Sequence, residues 1–256
     1  VIARVIALAA LQALPALAQD IARPVPLKPG VDFQGEDIRR LQADDFANPG
    51  MLAVARGEKL WSEMLPGSDK PCAVCHGKAA KSMKGAATRY PRFDPALGRV
   101  VNLAGRIDAC NRENGGTGLA PESADLVALE AFIAHQSRGL PMAVAIDAAA
   151  RASFERGAAL YRTRIGQLNL ACTHCHEANW GKTLLAETIS QGHGTGWPAY
   201  RLEWQATGSL QRRLRACFFG VRAEQPAYAS DDLVSLELYL AARAQGMAVE
   251  TPGVRR

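Results

Sequence analysis

No stretch after residue 18 approaches the roughly 20 apolar residues that a membrane-spanning helix requires, which excludes a helical integral membrane protein. No segment alternates apolar and polar residues convincingly, so a sheet-dominated fold is not expected. The formal charge is +5, from 30 Lys and Arg against 25 Asp and Glu. Yet there is no basic run and no interleaving of basic with aromatic side chains, so nucleic acid is not an expected partner. The cations suit a small anion or an acidic partner instead. Cysteine is scarce, at six in 256 residues, and its placement says most about the chain.

The N-terminus reads as a secretory signal, residues 1–18. Arg4 supplies a basic start, Val5–Leu14 an apolar core, and Ala16-Leu17-Ala18 an A-x-A cleavage site. Pro15 interrupts the apolar run too soon for a membrane span. The expectation is a soluble protein exported to the periplasm.

The six cysteines fall into two sets of three. Cys72-Ala73-Val74-Cys75-His76 and Cys172-Thr173-His174-Cys175-His176 both match C-x-x-C-H. In that pattern two thiols form thioethers to haem vinyl groups and the His ligates iron. Zinc sites also use C-x-x-C pairs, but a His directly after the second Cys, twice, favours haem. Two covalent c-type haems are predicted, held by Cys72, Cys75, Cys172 and Cys175, with His76 and His176 as axial ligands.

The chain also repeats itself. Arg56-Gly57-x-x-Leu60-Trp61 matches Arg156-Gly157-x-x-Leu160-Tyr161 at an offset of 100. Past the haem motif the offset becomes 107. There Tyr90-Pro91-x-Phe93 matches Trp197-Pro198-x-Tyr200, and Arg106-x-x-x-Cys110 matches Arg213-x-x-x-Cys217. Ser123-x-Asp125-Leu126-Val127-x-Leu129-Glu130 likewise matches Ser230-x-Asp232-Leu233-Val234-x-Leu236-Glu237. Fixed offsets of this kind mark two copies of one module. Seven extra residues in the second copy lie within Glu177–Gly196.

Each module reads as helix, haem motif, long loop, then helix. Asn48-Pro49 is read as the start of a helix over Met51–Met64, and Asp147 as the cap of one over Ala148–Arg162. Ser123 and Ser230 start the last helix of each module. There Leu126, Leu129, Phe132 and Ile133, with Leu233, Leu236, Tyr239 and Leu240, recur at helical spacing. The predicted fold is mainly α: two cytochrome c-like domains related by internal duplication, residues 48–146 and 147–256. Residues 19–47 precede them as an N-terminal extension that wraps the surface.

The third cysteine of each set, Cys110 or Cys217, stays in register in the loop before the last helix, where cytochromes c place the distal iron ligand. Met142 and Met247 break the register, at an offset of 105, and Met64 and Met83 have no counterparts. Thiolate ligation is favoured, with a Cys110–Cys217 disulfide or buried thiols as alternatives. Arg213 stands one helical turn before Cys217, so both would share a helix face, and its guanidinium offers paired donors to an anion. Arg106 holds the same place before Cys110, so the spacing serves haem propionates or packing equally well. Arg212 and Arg215 point elsewhere on such a helix. His193, in the Gly-rich stretch, reads as solvated, with a base or carrier contact as the alternative. His174 reads as solvent-facing, and His135 as a cation at a helix C-terminus.

With these residues in place the chain resembles the SoxA family, the dihaem subunits of the SoxAX cytochromes of bacterial thiosulfate oxidation. The resemblance covers essentially the whole chain after the signal. It rests on both C-x-x-C-H motifs, the spare cysteines, and Gly194-x-Gly196-Trp197-Pro198-x-Tyr200-Arg201-Leu202 leading through Gly208-Ser209-Leu210-Gln211-Arg212-Arg213 to Cys217. It implies ligation of one iron by His76 and Cys110 and of the other by His176 and Cys217. It implies that Cys217 is the catalytic sulfur, carried as a persulfide, and that Arg213 binds substrate. The activity implied is that of an L-cysteine S-thiosulfotransferase, which joins thiosulfate to a cysteine of the carrier SoxYZ. Two electrons would leave through haem to the monohaem partner SoxX and a downstream acceptor cytochrome. The alternatives are a dihaem thiosulfate dehydrogenase forming tetrathionate without a carrier, and a periplasmic electron-transfer cytochrome without catalysis.

Overall fold

Two crossed helix pairs organise residues 23–256, the part of the chain described by this computed structural model. The signal segment read at 1–18 lies outside the described residues. In chain order the helices are α1 (Glu36–Ala43), α2 (Met51–Ser62), α3 (Cys72–His76), α4 (Ala79–Ser82), α5 (Leu103–Glu113), α6 (Ala124–His135), α7 (Arg151–Arg162), α8 (Cys172–His176), α9 (Leu210–Gly220) and α10 (Asp231–Arg243). The described part is mainly helical, and none of its helices is long and apolar enough to cross a membrane.

Glycine sets both crossings. A Cβ on Gly57 of α2 would collide with the Ala128 carbonyl of α6, and one on Gly157 of α7 with the Ser235 carbonyl of α10. Only a hydrogen fits where the backbones approach so closely. Ala128 and Ser235 are themselves 107 residues apart, so the sequence register is also a packing register. The same ion pair flanks both crossings: Arg56 to Asp125 at 2.5 Å, and Arg156 to Asp232 at 2.6 Å. Beneath them Trp61 meets Phe132 and Tyr161 meets Tyr239, with ring centroids 5.9 and 5.2 Å apart. Ser123 and Ser230 cap α6 and α10 as expected, accepting from Leu126 N and Leu233 N. The eight apolar residues assigned to the core faces of these helices are all buried.

One expected helix end and one expected helix start move. Asn48 accepts from Gly50 N at 2.8 Å and fixes a turn, so α2 begins at Met51, leaving Pro49 ahead of it, and ends at Ser62 rather than Met64. Asp147 accepts from Ala150 N at 2.9 Å, which delays α7 to Arg151. Short strands are also present: β1 (Arg92–Asp94), β2 (Arg99–Val101), β3 (Thr183–Leu184), β4 (Glu187–Thr188), β5 (Ala199–Arg201), β6 (Ala206–Gly208) and β7 (Gly253–Arg255). None exceeds three residues, too few to show alternation in sequence. The antiparallel hairpins β1–β2 and β5–β6 sit 107 residues apart, and β7 joins β5 in parallel. The exposed β3–β4 hairpin lies inside the segment that carries the seven extra residues.

The described residues of the extension, 23–47, are fastened to the second half. Arg23 Nη2 donates to Ala242 O at 2.8 Å, Gln191 Nε2 to Pro26 O at 2.9 Å, and Val254 N to Gln42 Oε1 of α1 at 2.9 Å. Between the halves, Met142 N donates to Met247 O at 2.8 Å and Asn102 Nδ2 to Glu237 Oε2 at 2.7 Å. Both methionines are buried at this junction. A cavity of about 90 Å³ there is lined by Glu130, Glu237 and Trp197 among others.

Candidate functional site

The site in the second half is assembled from α8, the loop after it, β5 and α9. Ser209 caps α9 by accepting from Arg212 N at 3.2 Å, and the helix then places Arg213 and Cys217 one turn apart. From α8, His176 Nδ1 lies 2.8 Å from Ser190 O. A carbonyl only accepts, so Nδ1 carries a proton and donates it to Ser190 O. The His176 side chain is also hydrogen-bonded to the Cys217 thiol, so these two donors face each other. Gly192, at φ +75°, permits the close approach of its loop, for a Cβ there would stand 2.9 Å from the imidazole. Cys172 and Cys175 both lie within electrostatic reach of Cys217.

Burial alone would push the Cys217 thiol up. Arg213, the hydrogen bond and charge of His176, and Arg201 outweigh it and bring the thiol down to about 7. At Cys172, burial and the neighbouring Cys217 outweigh the pull of Arg243 and push the thiol up to about 12. Arg201 is buried on β5, donates to Glu187 at 2.9 Å and Glu203 at 2.5 Å, and lies against Trp204. Arg212 and Arg215 do point elsewhere: their guanidiniums lie over Trp204 and Tyr228, at 4.2 and 4.3 Å.

The first half uses the same frame and reaches a different balance. Cys110, on α5, lies within electrostatic reach of Cys72 and Cys75, so each spare cysteine joins the haem motif of its own half. All six cysteines are free, with no Cys110–Cys217 disulfide. Arg106, however, is clamped by Glu113 at 2.5 Å and by Asp94 at 3.3 Å. Burial pushes the Cys110 thiol up, and Glu113 opposes the pull of Arg106, so the thiol stays above its ordinary value. In the 107-residue register Asp94 corresponds to Arg201 and Glu113 to Gly220. One half surrounds its arginine with two acids, and the other replaces one acid by a cation and the other by glycine. Arg213 makes no ion pair with a carboxylate among the described residues. The register carried this signal, although the sequence reading did not follow it to these two positions.

The three remaining histidines depart from expectation. His193 is buried rather than solvated. Its Nε2 lies 3.2 Å from Gln191 Oε1, and burial together with Arg243 and His176 lowers it to about 4. It is neutral at pH 7 and holds the loop together. His174 accepts from Ala171 N at 3.0 Å at the start of α8 instead of facing solvent. His135 ends α6, but burial and Arg138 lower its pKa and oppose the expected cation.

The donors fit a covalently held haem. In each half two thiols and a His follow one another on a single helical turn. In the second half an imidazole whose Nδ1 is committed to a carbonyl faces a low-pKa thiol. Helical pairs crossing over such a motif define a c-type cytochrome. Consistent with this, residues 56–142 match the family described as SoxA/TsdA, cytochrome c domain.

The chain is 42% identical to the L-cysteine S-thiosulfotransferase subunit SoxA of Pseudaminobacter salicylatoxidans, over 88% of this chain and 79% of that protein. It is 37% identical to the SoxA subunit of Rhodovulum sulfidophilum, over 90% and 80% respectively. Its fold matches the crystal structure of SoxXA from P. pantotrophus with a TM-score of 0.86 and 35% identity, covering 90% of this chain and 87% of that one. The chain belongs to the SoxA family.

Proposed function

We propose that this protein is the catalytic subunit of an L-cysteine S-thiosulfotransferase, with two covalent c-type haems in halves spanning residues 48–146 and 147–256. His76 and Cys110 would hold the iron of the first haem, and His176 and Cys217 that of the second. When bound, the haems supply one-electron acceptors at the reacting sulfur. The partner is a monohaem SoxX-type cytochrome, in keeping with the SoxXA assembly its fold resembles. The protein is exported to the periplasm, where electrons pass to an acceptor cytochrome.

The reaction joins the sulfane sulfur of thiosulfate to a cysteine of a SoxYZ-type carrier. One S–H bond breaks and one S–S bond forms: RSH + S2O3(2−) gives RS–S–SO3(−), one proton and two electrons. With haem bound, the two electrons would have one-electron acceptors beside the sulfur and a route to the partner cytochrome. Cys217 is the sulfur centre, carried as a persulfide, and Arg213 draws the dianion to it with paired N–H donors. Arg201 adds positive potential from the buried side. The observation that carries this reading is the contrast between the arginines beside the two spare thiols: Arg106 is paired with Asp94 and Glu113, whereas Arg201 and Gly220 stand at the matching positions beside Arg213 in the register.

The test is thiosulfate-dependent cytochrome reduction by the purified complex, with and without the carrier. Reduction is expected only with carrier present, and equal rates without it would favour a tetrathionate-forming dehydrogenase. Mass spectrometry of the peptide containing Cys217 reads the persulfide as one extra sulfur.

A further inference from the structure

Behind the second C-x-x-C-H motif lies a fully buried cation with no counterpart in the first half. Arg243, near the end of α10, has no solvent exposure. Its Nη1 donates to Tyr161 Oη at 2.6 Å and to Gln191 O at 3.2 Å, and its guanidinium lies over the Tyr161 ring at 4.5 Å. Glu177, the residue after His176, approaches its Nη2 at 3.8 Å. The 107-residue register puts Gln136 at this position in the first half, and Trp61 replaces Tyr161.

Gln191 is the residue next to Ser190, whose carbonyl holds His176 Nδ1. Its side chain is committed on both ends, accepting from Lys28 N at 2.8 Å and donating to Pro26 O at 2.9 Å. The loop that orients His176 is thus held from one side by Arg243 and from the other by the N-terminal extension. Arg243 also acts electrostatically on Cys172. In the first half, Trp61 donates to Gly77 O at 2.9 Å and its ring lies 5.7 Å from His76, with no comparable loop clamp among the described residues.

We propose that Arg243 is a positioning residue for the second haem. Through Gln191 and Ser190 it fixes the plane of the His176 imidazole, and its buried charge favours the reduced state of that haem. A hydrogen bond at Nδ1 sets both the orientation and the basicity of a ligating His, so its anchor is part of the ligand's chemistry. The inference rests on the two-haem reading, and a haemochrome assay showing one haem per chain would remove that reading first.

The experiment uses the two-haem holoprotein in complex with its partner. Arg243→Gln is expected to shift the low-spin EPR g values of the second haem and to lower its midpoint potential, leaving the first haem unmoved. Arg243→Lys, which keeps the charge and loses the fork, is expected to restore the potential while the g values stay shifted. Should Arg243→Gln fail to fold, Tyr161→Phe removes one partner of the guanidinium without opening a large cavity, and a smaller g-value shift in the same direction is expected. Wild-type g values and potential of the second haem in Arg243→Gln or, where that variant does not fold, wild-type g values in both Arg243→Lys and Tyr161→Phe, with both haems present, would overturn the proposal.

Discussion

The two halves share a helix crossing on glycine, an arginine–aspartate pair beside it, a serine cap and a hairpin, yet they treat one arginine in opposite ways. Arg106 is bound by Asp94 and Glu113, and Glu113 opposes its pull on Cys110, whose thiol burial keeps raised. Arg213 stands where neither acid is present and helps hold Cys217 as the more acidic thiol. A common scaffold therefore sets where the sulfur goes, while a few charges around it set what that sulfur does. The second half also adds the loop of residues 190–193, which grips His176 and is anchored by Arg243.

That contrast can be tested by making each half resemble the other. Arg213→Gln is expected to lower kcat/KM for thiosulfate by about 100- to 1,000-fold, as loss of a charge-stabilising donor does. Arg106→Gln should leave turnover within a few-fold. A similar fall in both variants, measured by cytochrome reduction, would erase the functional distinction. Gly220→Glu introduces the acid that clamps the first-half arginine, and a Cβ at Gly220 meets nothing within 4 Å. It should pair with Arg213 and cost roughly tenfold in kcat/KM, about 1.4 kcal/mol. Unchanged kinetics would show that acids around this arginine do not govern the site.

Stability should not separate the halves in the same way. Gly57→Ala and Gly157→Ala each force a Cβ into a carbonyl, and each should cost about 1–3 kcal/mol in chemical denaturation. A cost confined to one of them would break the equivalence of the crossings. Glu130 and Glu237, also 107 residues apart, are held above the ordinary carboxylate range, mainly by burial at the junction. Glu237 is pushed up to about 8 although Asn102 and Gln211 donate to it. The folded state therefore binds protons more tightly than the unfolded chain. The contribution of Glu237 to the unfolding free energy should be complete below about pH 4.5 and be lost as the pH rises toward 8, with a slope of up to about 1.4 kcal/mol per pH unit for one proton. Glu237→Gln should flatten that slope, as read from denaturation midpoints across the range.

Much of this frame was legible in the sequence because the repeat is dense. The offsets of 100 and 107 located Gly57 and Gly157, both serine caps, and the pairing of Arg106 with Cys110 and Arg213 with Cys217. Burial and long-range polarity were not legible. His193 in a Gly-rich stretch gives no sign that Gln191 and the extension will enclose it. Arg243 reads as a last-turn helix cation, and only the fold brings it to Tyr161 and the Gln191 carbonyl. Strands of two or three residues are too short to alternate. The change from Asp94 to Arg201 was visible in the register, but its meaning required knowing that Asp94 pairs with Arg106 and that Arg201 lies within electrostatic reach of Cys217.

The most direct measurement compares Cys110→Met with Cys217→Met in the haem-loaded complex, following thiosulfate-dependent reduction with carrier present. Methionine preserves a sulfur ligand for iron while removing the reactive thiol. Cys110→Met is expected to keep turnover close to wild type, and Cys217→Met to abolish it. Full activity in Cys217→Met would contradict the placement of the chemistry at that sulfur.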